Sequence, residues 1–415
     1  LRGNIRWIIC GLLFFATTVN YMDRQVLGIL KPMLQRDMHW SEKDFASMIA
    51  SFQIAYALMM PLVGRMLDWL GVRTGYAVAA LVWSLASMSH ALARTPFQFK
   101  LARFGLGLGE SANFPAAIKA VAEWFPGKER ALATGILNSG SNVGAMVAPL
   151  LVPFVALRLG WQAVFLVTGG LDLIWIVAWL SYFREPARHR QVTQTELAYI
   201  QSGRTVEPVD QVPYLRLLTK RQSWAFALGK LMTDPAWWFY LFWIPSFLNR
   251  AYGLEISQLG LPLIVIYLAA DAGSILGGWL AAAFSSLGWS HNKSRKMAML
   301  ICALFATPVV GVLWTRSVWP AVVLISMAAA AHQGWSANLY TLVSDLFPRG
   351  TVGSVVGLGG LAGALGGAAV AYPIGMWLDF SHDAYGPLFV IAGSAYVLAF
   401  CVIQLLTPHL KRAVF

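Results

Sequence analysis

Asn20-Tyr21-Met22-Asp23-Arg24 stands inside an apolar run that begins at Trp7 and reaches Leu30. An Asp or an Arg at the centre of a membrane-length helix costs roughly 2.5–3.5 kcal/mol each. A helix that only anchors a chain has no use for them, so the pair is expected to face a bundle interior or a wet cavity. The plainer reading is an internal ion pair that locks helices together. A second charged pair, Arg103 and Glu110, is separated by about two turns, ~10.5 Å along one helix face. Counted from the outer ends of their runs, Asp23 and Arg103 lie at similar depths of ~12 and ~9 Å, with Glu110 deeper. Arg103 is therefore expected to pair with Asp23 in one state and to lean toward Glu110 in another. An unpaired carboxylate in a dry site takes up a proton, and an approaching guanidinium expels it. Asp23, Arg103 and Glu110 are thus candidate proton-coupling residues, with a static Asp–Arg–Glu brace as the alternative.

Arg24 follows Asp23 directly and cannot share its helix face, so it needs another anion. Lys230 is the second unmatched cation, with Asp234 one turn further on. If both cations line a cavity, the cargo is an anion, and Arg suits a carboxylate gripped by two parallel hydrogen bonds. Hydroxyls on that cargo would use Tyr21, Tyr56, Asn142, Gln333, Asn338 and Tyr340, although polar residues also join membrane helices to one another. Trp237 and Trp335 fit either stacking on a sugar face or packing. Asp172 and Asp271 are lone acids, and Asp271 is the better candidate for a buried structural pair. Gly105-Leu106-Gly107-Leu108-Gly109 is no phosphate loop, because it lies within an apolar span and no Lys-Ser/Thr follows it. No nucleophile–base pair or metal-ligand motif stands out. Cys10, Cys302 and Cys401 read as small buried hydrophobes. Neither an enzyme, a metal site nor a cofactor is expected.

The elements that position these residues are membrane spans. The chain has 415 residues, 58% hydrophobic and 12% charged, about half the charged share of a soluble domain. Apolar runs of spanning length recur at about 7–30, 44–66, 72–93, 97–122, 131–157 and 161–183. A second set follows at about 223–249, 258–285, 295–314, 317–345, 350–378 and 386–407. No small-residue cleavage site follows the first run, which is expected to remain as a span. The net charge of +12 lies in short loops, a positive-inside pattern rather than a nucleic-acid surface. The polar stretch 184–222 holds Arg184, Arg188, Arg190, Arg204, Arg216, Lys220 and Arg221 against Glu185, Glu196, Glu207 and Asp210. Its basic excess puts it in the cytoplasm. Arg2 and Arg6, then Lys293, Arg295 and Lys296, then Lys411 and Arg412 fall on the same side, so both termini are expected there.

An internal repeat divides the chain. Trp124-Phe125-Pro126 and Leu346-Phe347-Pro348 precede glycine-spaced runs, and the same offset sets Gly135 on Gly357, Gly144 on Gly366, and Glu110 on His332. A hydrogen-bonded structural His is the plainer reading of His332. Gly353, Gly357, Gly360, Gly363, Gly366 and Gly367 read as close-packing seams. The expected architecture is an all-α membrane protein of twelve spans: a six-helix bundle at 1–183, a cytoplasmic linker at 184–222 and a second bundle at 223–415. Two halves of the same direction are the parallel repeat of major-facilitator-type carriers, with cargo near the midplane between them.

Gly64-Arg65-Met66-Leu67-Asp68-Trp69-Leu70-Gly71-Val72-Arg73 resembles the major facilitator loop motif, with Trp69 where a basic residue is usual. Physically, Asp68 and Arg73 would brace neighbouring helix ends. The stretches Asn20–Arg24, Gly109-Glu110-Ser111-Ala112-Asn113-Phe114-Pro115 and Glu123-Trp124-Phe125-Pro126-Gly127-Lys128-Glu129-Arg130 resemble the anion:cation symporter family. With Ala331-His332-Gln333-Gly334-Trp335-Ser336-Ala337-Asn338, they are similar to its bacterial hexuronate transporters. The resemblance implies a monomeric, proton-coupled symporter that imports glucuronate or galacturonate by alternating access through the inner membrane, with no nucleic-acid partner. It also implies that Asp23 and Glu110 are coupling acids, Arg103 a coupling arginine, and Arg24, Tyr21 and Tyr56 substrate contacts. Lys230 sits where galactonate carriers have a glutamine and glutamate carriers a cation. Gly360 and Ser141 replace an asparagine and a glutamine of galactonate carriers, which argues against galactonate. Asp172 lies where a neutral residue is expected. A carrier for another sugar acid or small organic anion, or a membrane-embedded sensor or enzyme on the same fold, stays open.

Overall fold

A computed structural model describes residues 5–201 and 213–413, without the side chains at 127, 128, 131, 214, 349 and 350. Arg2, Arg204, Glu207, Asp210 and the Lys128 side chain lie outside the described residues. Regular structure among the described residues is helical: α1 Ile5–Met38, α2 Glu42–Ser89, α3 Pro96–Glu110, α4 Asn113–Trp124, α5 Gly127–Leu159, α6 Trp161–Tyr182, α7 Gln194–Gln201, α8 Tyr214–Leu218, α9 Arg221–Tyr252, α10 Gly260–Ser286, α11 His291–Ala306, α12 Val318–Leu346, α13 Arg349–Phe380 and α14 Gly386–Leu406. Many are long and apolar enough to cross a bilayer, as a ~30 Å core requires.

Two boundaries depart from the expected runs. α2 carries the second and third runs, which part at Gly71, where φ is 73°, a backbone setting that glycine adopts without cost. The fourth run is broken into α3 and α4 across Ser111 and Ala112. Pro115 accounts for the break: it has no N–H to donate, and its ring crowds the carbonyl of Ser111. Glu110 is left on the last residue of α3.

The chain forms two units. The first holds Leu1–Leu30 with Ser51–Pro208; the second holds Lys31–Ala50 with Val209–Phe415. The junction of α1 and α2 belongs with the second unit, and the stretch 184–222 expected as a linker is shared between the two. Packing of Phe45 on Trp243 and of Ala46 on Gly375 ties that junction there, together with charged contacts. Glu42 accepts from Lys31 at 2.7 Å and from Arg250 of α9 at 2.8 Å. Arg250 also pairs with Asp383. Asp379 of α13 accepts from the backbone N–H groups of Glu42 and Lys43 at 2.7 and 2.8 Å, so it caps the N-terminus of α2, where the helix dipole favours an anion.

In the first unit, Tyr76, Trp83, Trp175 and Trp179 form a buried aromatic stack with centroid spacings of 4.8–6.4 Å. The indole N–H of Trp175 donates to the Leu12 carbonyl and that of Trp179 to the Arg73 carbonyl, which fixes α6 against α1 and α2. The expected bracing at the α2 break is present. Asp68 pairs with Lys119 of α4 at 2.6 Å, and Arg73 donates to the Leu180 carbonyl near the end of α6. The polar stretch is partly folded onto this unit: buried Glu196 of α7 accepts from Arg6 at 3.2 Å.

The repeat appears as matched local structure. Phe125 N–H donates to Val121 and Phe347 N–H to Val343, and Pro126 and Pro348 then start α5 and α13 from the same extended backbone. Gly144 lets α5 meet the Thr18 carbonyl of α1, and Gly366 lets α13 meet the Leu231 carbonyl of α9. The seam on α13 is Gly359, Gly363 and Gly366, which approach Phe226, Asp234 and Leu231. Gly353 and Gly357, expected in that seam, face open space. Cys10 and Cys302 are buried as expected, whereas Cys401 is exposed on α14.

Candidate functional site

Consecutive residues on a helix point about 100° apart, and on α1 that separates two functions. Arg24 points at the end of α3. Its Nε and Nη2 both donate to Oε2 of Glu110, at 2.9 and 2.8 Å. The guanidinium carbon lies 4.8, 5.3 and 5.4 Å from the ring centres of Tyr21, Phe52 and Tyr56. This is an aromatic cage that favours a planar cation. Arg24 and Glu110 are buried, 4% and 0% exposed. Asp23 points the other way, toward α2 and α6, and accepts from the Ser87 hydroxyl at 2.9 Å.

Arg103 does not hold the place expected for it. It is fully buried, and Nη2 donates to the Arg24 carbonyl at 3.2 Å. It makes no ion pair with Asp23 or Glu110. Its Nε and Nη1 meet no hydrogen-bond acceptor among the described residues. The cation on Glu110 is Arg24, whose Nε and Nη2 both reach that carboxylate. The chemistry follows. A guanidinium held by one buried carboxylate is released when that carboxylate takes a proton, and it can then receive another anion.

Glycines let α3 reach this depth. A Cβ on Gly107 would strike the Phe52 backbone, and one on Gly109 would strike Trp83. The Gly-x-Gly-x-Gly run is thus a packing face inside a helix.

In the second unit, Lys230 pairs with Asp234 at 2.8 Å, one helical turn away. Its ammonium lies 4.9 Å from the Tyr340 ring centre. Asn338, expected to meet cargo, is instead tied to the frame. It donates to the Gly277 and Gly334 carbonyls at 2.7 and 2.9 Å and accepts from Arg295 at 3.2 Å. Gly273, Gly277 and Gly334 bring α10 and α12 into backbone contact there, and the amide bridges the seam. His332 bonds the Tyr396 hydroxyl at 2.8 Å and stacks on Trp237 with centroids 4.9 Å apart. Trp335 is fully buried against Tyr396; it packs and has no free face. Gln333 and Asn142 are half-buried, and Asn142 accepts from Ser141 at 3.3 Å. Asp271 is half-buried on α10 without an ion pair among the described residues, so it is not the structural pair expected of it.

Sequence reasoning passed over Gln25 and Gln53. Both amides are buried, and neither has a hydrogen-bond partner among the described residues. Their signal was position: Gln25 adjoins Arg24, and Gln53 lies within a turn of Tyr56. It also left Asp172 without a role; that residue is buried on α6 one turn after Thr168, whose hydroxyl lies 3.4 Å from the Ser87 hydroxyl that donates to Asp23.

The Major Facilitator Superfamily profile matches residues 13–371. The chain is 34% identical over 394 residues to the hexuronate transporter of Escherichia coli K12, with 94% of this chain and 90% of the relative covered. It is 35% identical over 307 residues to the galacturonate transporter of Dickeya chrysanthemi, covering 72% of this chain and 89% of that one. Among solved structures, a bacterial homolog of the human lysosomal transporter Spinster, in an inward-facing and occupied conformation, aligns with a TM-score of 0.77 at 17% identity, over 98% of this chain and 97% of that one. A D-xylose-proton symporter aligns with a TM-score of 0.74 at 16% identity, over 98% and 99% of the two chains. Broken helices, matched halves and charges buried among apolar spans thus agree with the sequence relatives: this chain is a multi-pass membrane protein of the major facilitator superfamily.

Proposed function

We propose that the protein is a proton-coupled symporter that imports a hexuronate, glucuronate or galacturonate, by alternating access through the bacterial inner membrane, acting as a monomer. The observation that carries this reading is the Arg24–Glu110 contact inside its aromatic cage. Glu110 occupies the guanidinium. A proton on Glu110 neutralises it and frees two donors for the cargo carboxylate, so proton and anion bind in support of each other. Tyr21 and Tyr56 flank the freed guanidinium and would meet the ring and its hydroxyls. Gln25 and Gln53 supply spare donors and acceptors nearby. The hexuronate and galacturonate carriers among the relatives support this cargo.

Coupling also answers an energetic need. An anion entering against an inside-negative potential costs ~2.3 kcal/mol per charge per 100 mV. One accompanying proton cancels that cost, and a second makes uptake electrogenic. The basic loop bias supports cytoplasmic termini. That orientation sets Lys31, Glu42, Arg250 and Asp383 at the external end, as an ion-pair latch that opens before cargo enters.

Proteoliposomes test the reading. Labelled glucuronate should accumulate chemically unchanged when the outside is acidified, and unlabelled galacturonate should compete. An altered product inside would indicate an enzyme. Accumulation indifferent to the pH gradient would remove proton coupling.

A further inference from the structure

Asp172 is an acid that the Arg24–Glu110 account does not use. It lies on α6, one turn before Trp175, and the aromatic stack fixes its helix. It is 1% exposed, and Asp23 is 2% exposed. The Ser87 hydroxyl that donates to Asp23 at 2.9 Å lies 3.4 Å from the hydroxyl of Thr168, one turn before Asp172 on α6, so the two acids are neighbours. Oδ2 of each is buried and meets no protein donor. Two carboxylates make no hydrogen bond to one another, because neither has a hydrogen to give. Two neighbouring acids in a dry interior, with no cation paired to either among the described residues, hold one proton in common, as when two acids share one site.

The surroundings do not replace that proton with a cation. Asp23 is faced by the Ser87 hydroxyl of α2, the Thr168 hydroxyl of α6 and, at longer range, Arg103 of α3. Asp172 is faced by the indole of Trp83 and the phenol of Tyr76 on α2 and, further off, Glu110 of α3. Arg103 forms no ion pair with either acid. Arg24 is turned away and held by Glu110.

We propose that Asp23 and Asp172 form a single proton-binding site, in which one proton is held between a carboxyl and a carboxylate oxygen, separate from the proton that releases Arg24 from Glu110. The proton arrives from water when the site opens and bonds to one carboxylate oxygen. The other acid accepts it as a hydrogen bond, and it departs to water when Arg103 moves into contact with the pair. Asp172 is thereby a coupling residue of the transport cycle. This assignment rests on the proton-symport reading above. It makes two proton sites available per cycle, so that uptake of a singly charged anion carries net positive charge inward.

Two measurements test it together. Infrared difference spectra of purified wild-type protein, recorded while pH is stepped, should contain a protonated-carboxyl band that is lost in Asp23→Asn and grows in only at more acid pH in Asp172→Asn. In proteoliposomes, Asp172→Asn should still exchange labelled for unlabelled glucuronate, which reports a folded carrier. Its amide can donate to Asp23 and stabilise the ionised form. Proton-driven accumulation should then reach half-maximum at a pH about one unit more acid than wild type. A wild-type spectrum without that band, or its persistence in Asp172→Asn with an unchanged pH profile, overturns the shared proton. If the wild type shows the band but accumulates nothing on a pH gradient, the pair stands and the symport reading fails.

Discussion

The two units place different chemistry at one repeated position. Glu110 and His332 correspond under the repeat. The register in which Gly144 meets Thr18 and Gly366 meets Leu231 makes Trp237 the repeat counterpart of Arg24. In the first unit these positions form a buried ion pair, with both Arg24 bonds at 2.9 Å or less. In the second they form a stacked, uncharged pair of rings, and the imidazole is satisfied by Tyr396. The backbone frame is duplicated while the charge is not. A buried ion pair carries a desolvation penalty that its own attraction only partly repays, whereas stacked rings contribute packing. In our reading, proton and carboxylate exchange therefore resides in the first unit, and the second offers ring surface and the Lys230–Asp234 pair.

Substitutions can break that contrast. The largest effect should come from Arg24→Ala. Removing one partner of a buried hydrogen-bonded charge pair costs about 2–5 kcal/mol in binding, so calorimetry should detect no glucuronate binding. Arg24→Lys should also lose most of its affinity, because an ammonium cannot present the planar fork. Next comes Glu110→Gln, which should retain counterflow exchange but lose accumulation driven by a pH gradient. Lys230→Gln should weaken apparent affinity by roughly tenfold, about 1.4 kcal/mol, because its charge is already largely committed to Asp234. The smallest change is expected at the neutral counterpart. His332→Phe keeps the stack on Trp237 and loses one hydrogen bond worth about 1 kcal/mol. Its pH profile of uptake should overlay the wild type. A shifted profile in His332→Phe would erase the distinction between the units.

Much of this organisation was legible in the chain. Spans follow from apolar runs, and the repeat from Phe125-Pro126 and Phe347-Pro348, because those residues dictate the same helix start in both units. The hexuronate-carrier resemblance agrees with the relatives found. The partners of the charges were harder to read. Depth along α1 and α3 put Arg103 level with Asp23, but depth says nothing about azimuth. Which cation Glu110 meets is decided by the direction in which Arg24 points from α1. Pro115 was visible within Gly109–Pro115 and signalled a broken helix that the apolar run concealed. The attachment of Lys31–Ala50 to the second unit depends on contacts from Glu42 to Arg250 and Asp379, distant in sequence and invisible to any local pattern. Asn338 looked like a cargo ligand because its type is polar. Whether an amide meets cargo or a neighbouring carbonyl is decided by packing, here by Gly277 and Gly334.

The claim on which the account turns is that Glu110 holds Arg24 until a proton takes its place. Calorimetric titration of glucuronate into purified protein, repeated in buffers of different ionisation enthalpy, counts the protons taken up on binding. The account predicts net proton uptake for the wild type, with affinity falling as pH rises. For Glu110→Gln it predicts tight binding, less proton uptake and a flatter pH dependence. Equal proton uptake and the same pH dependence in both proteins would contradict it.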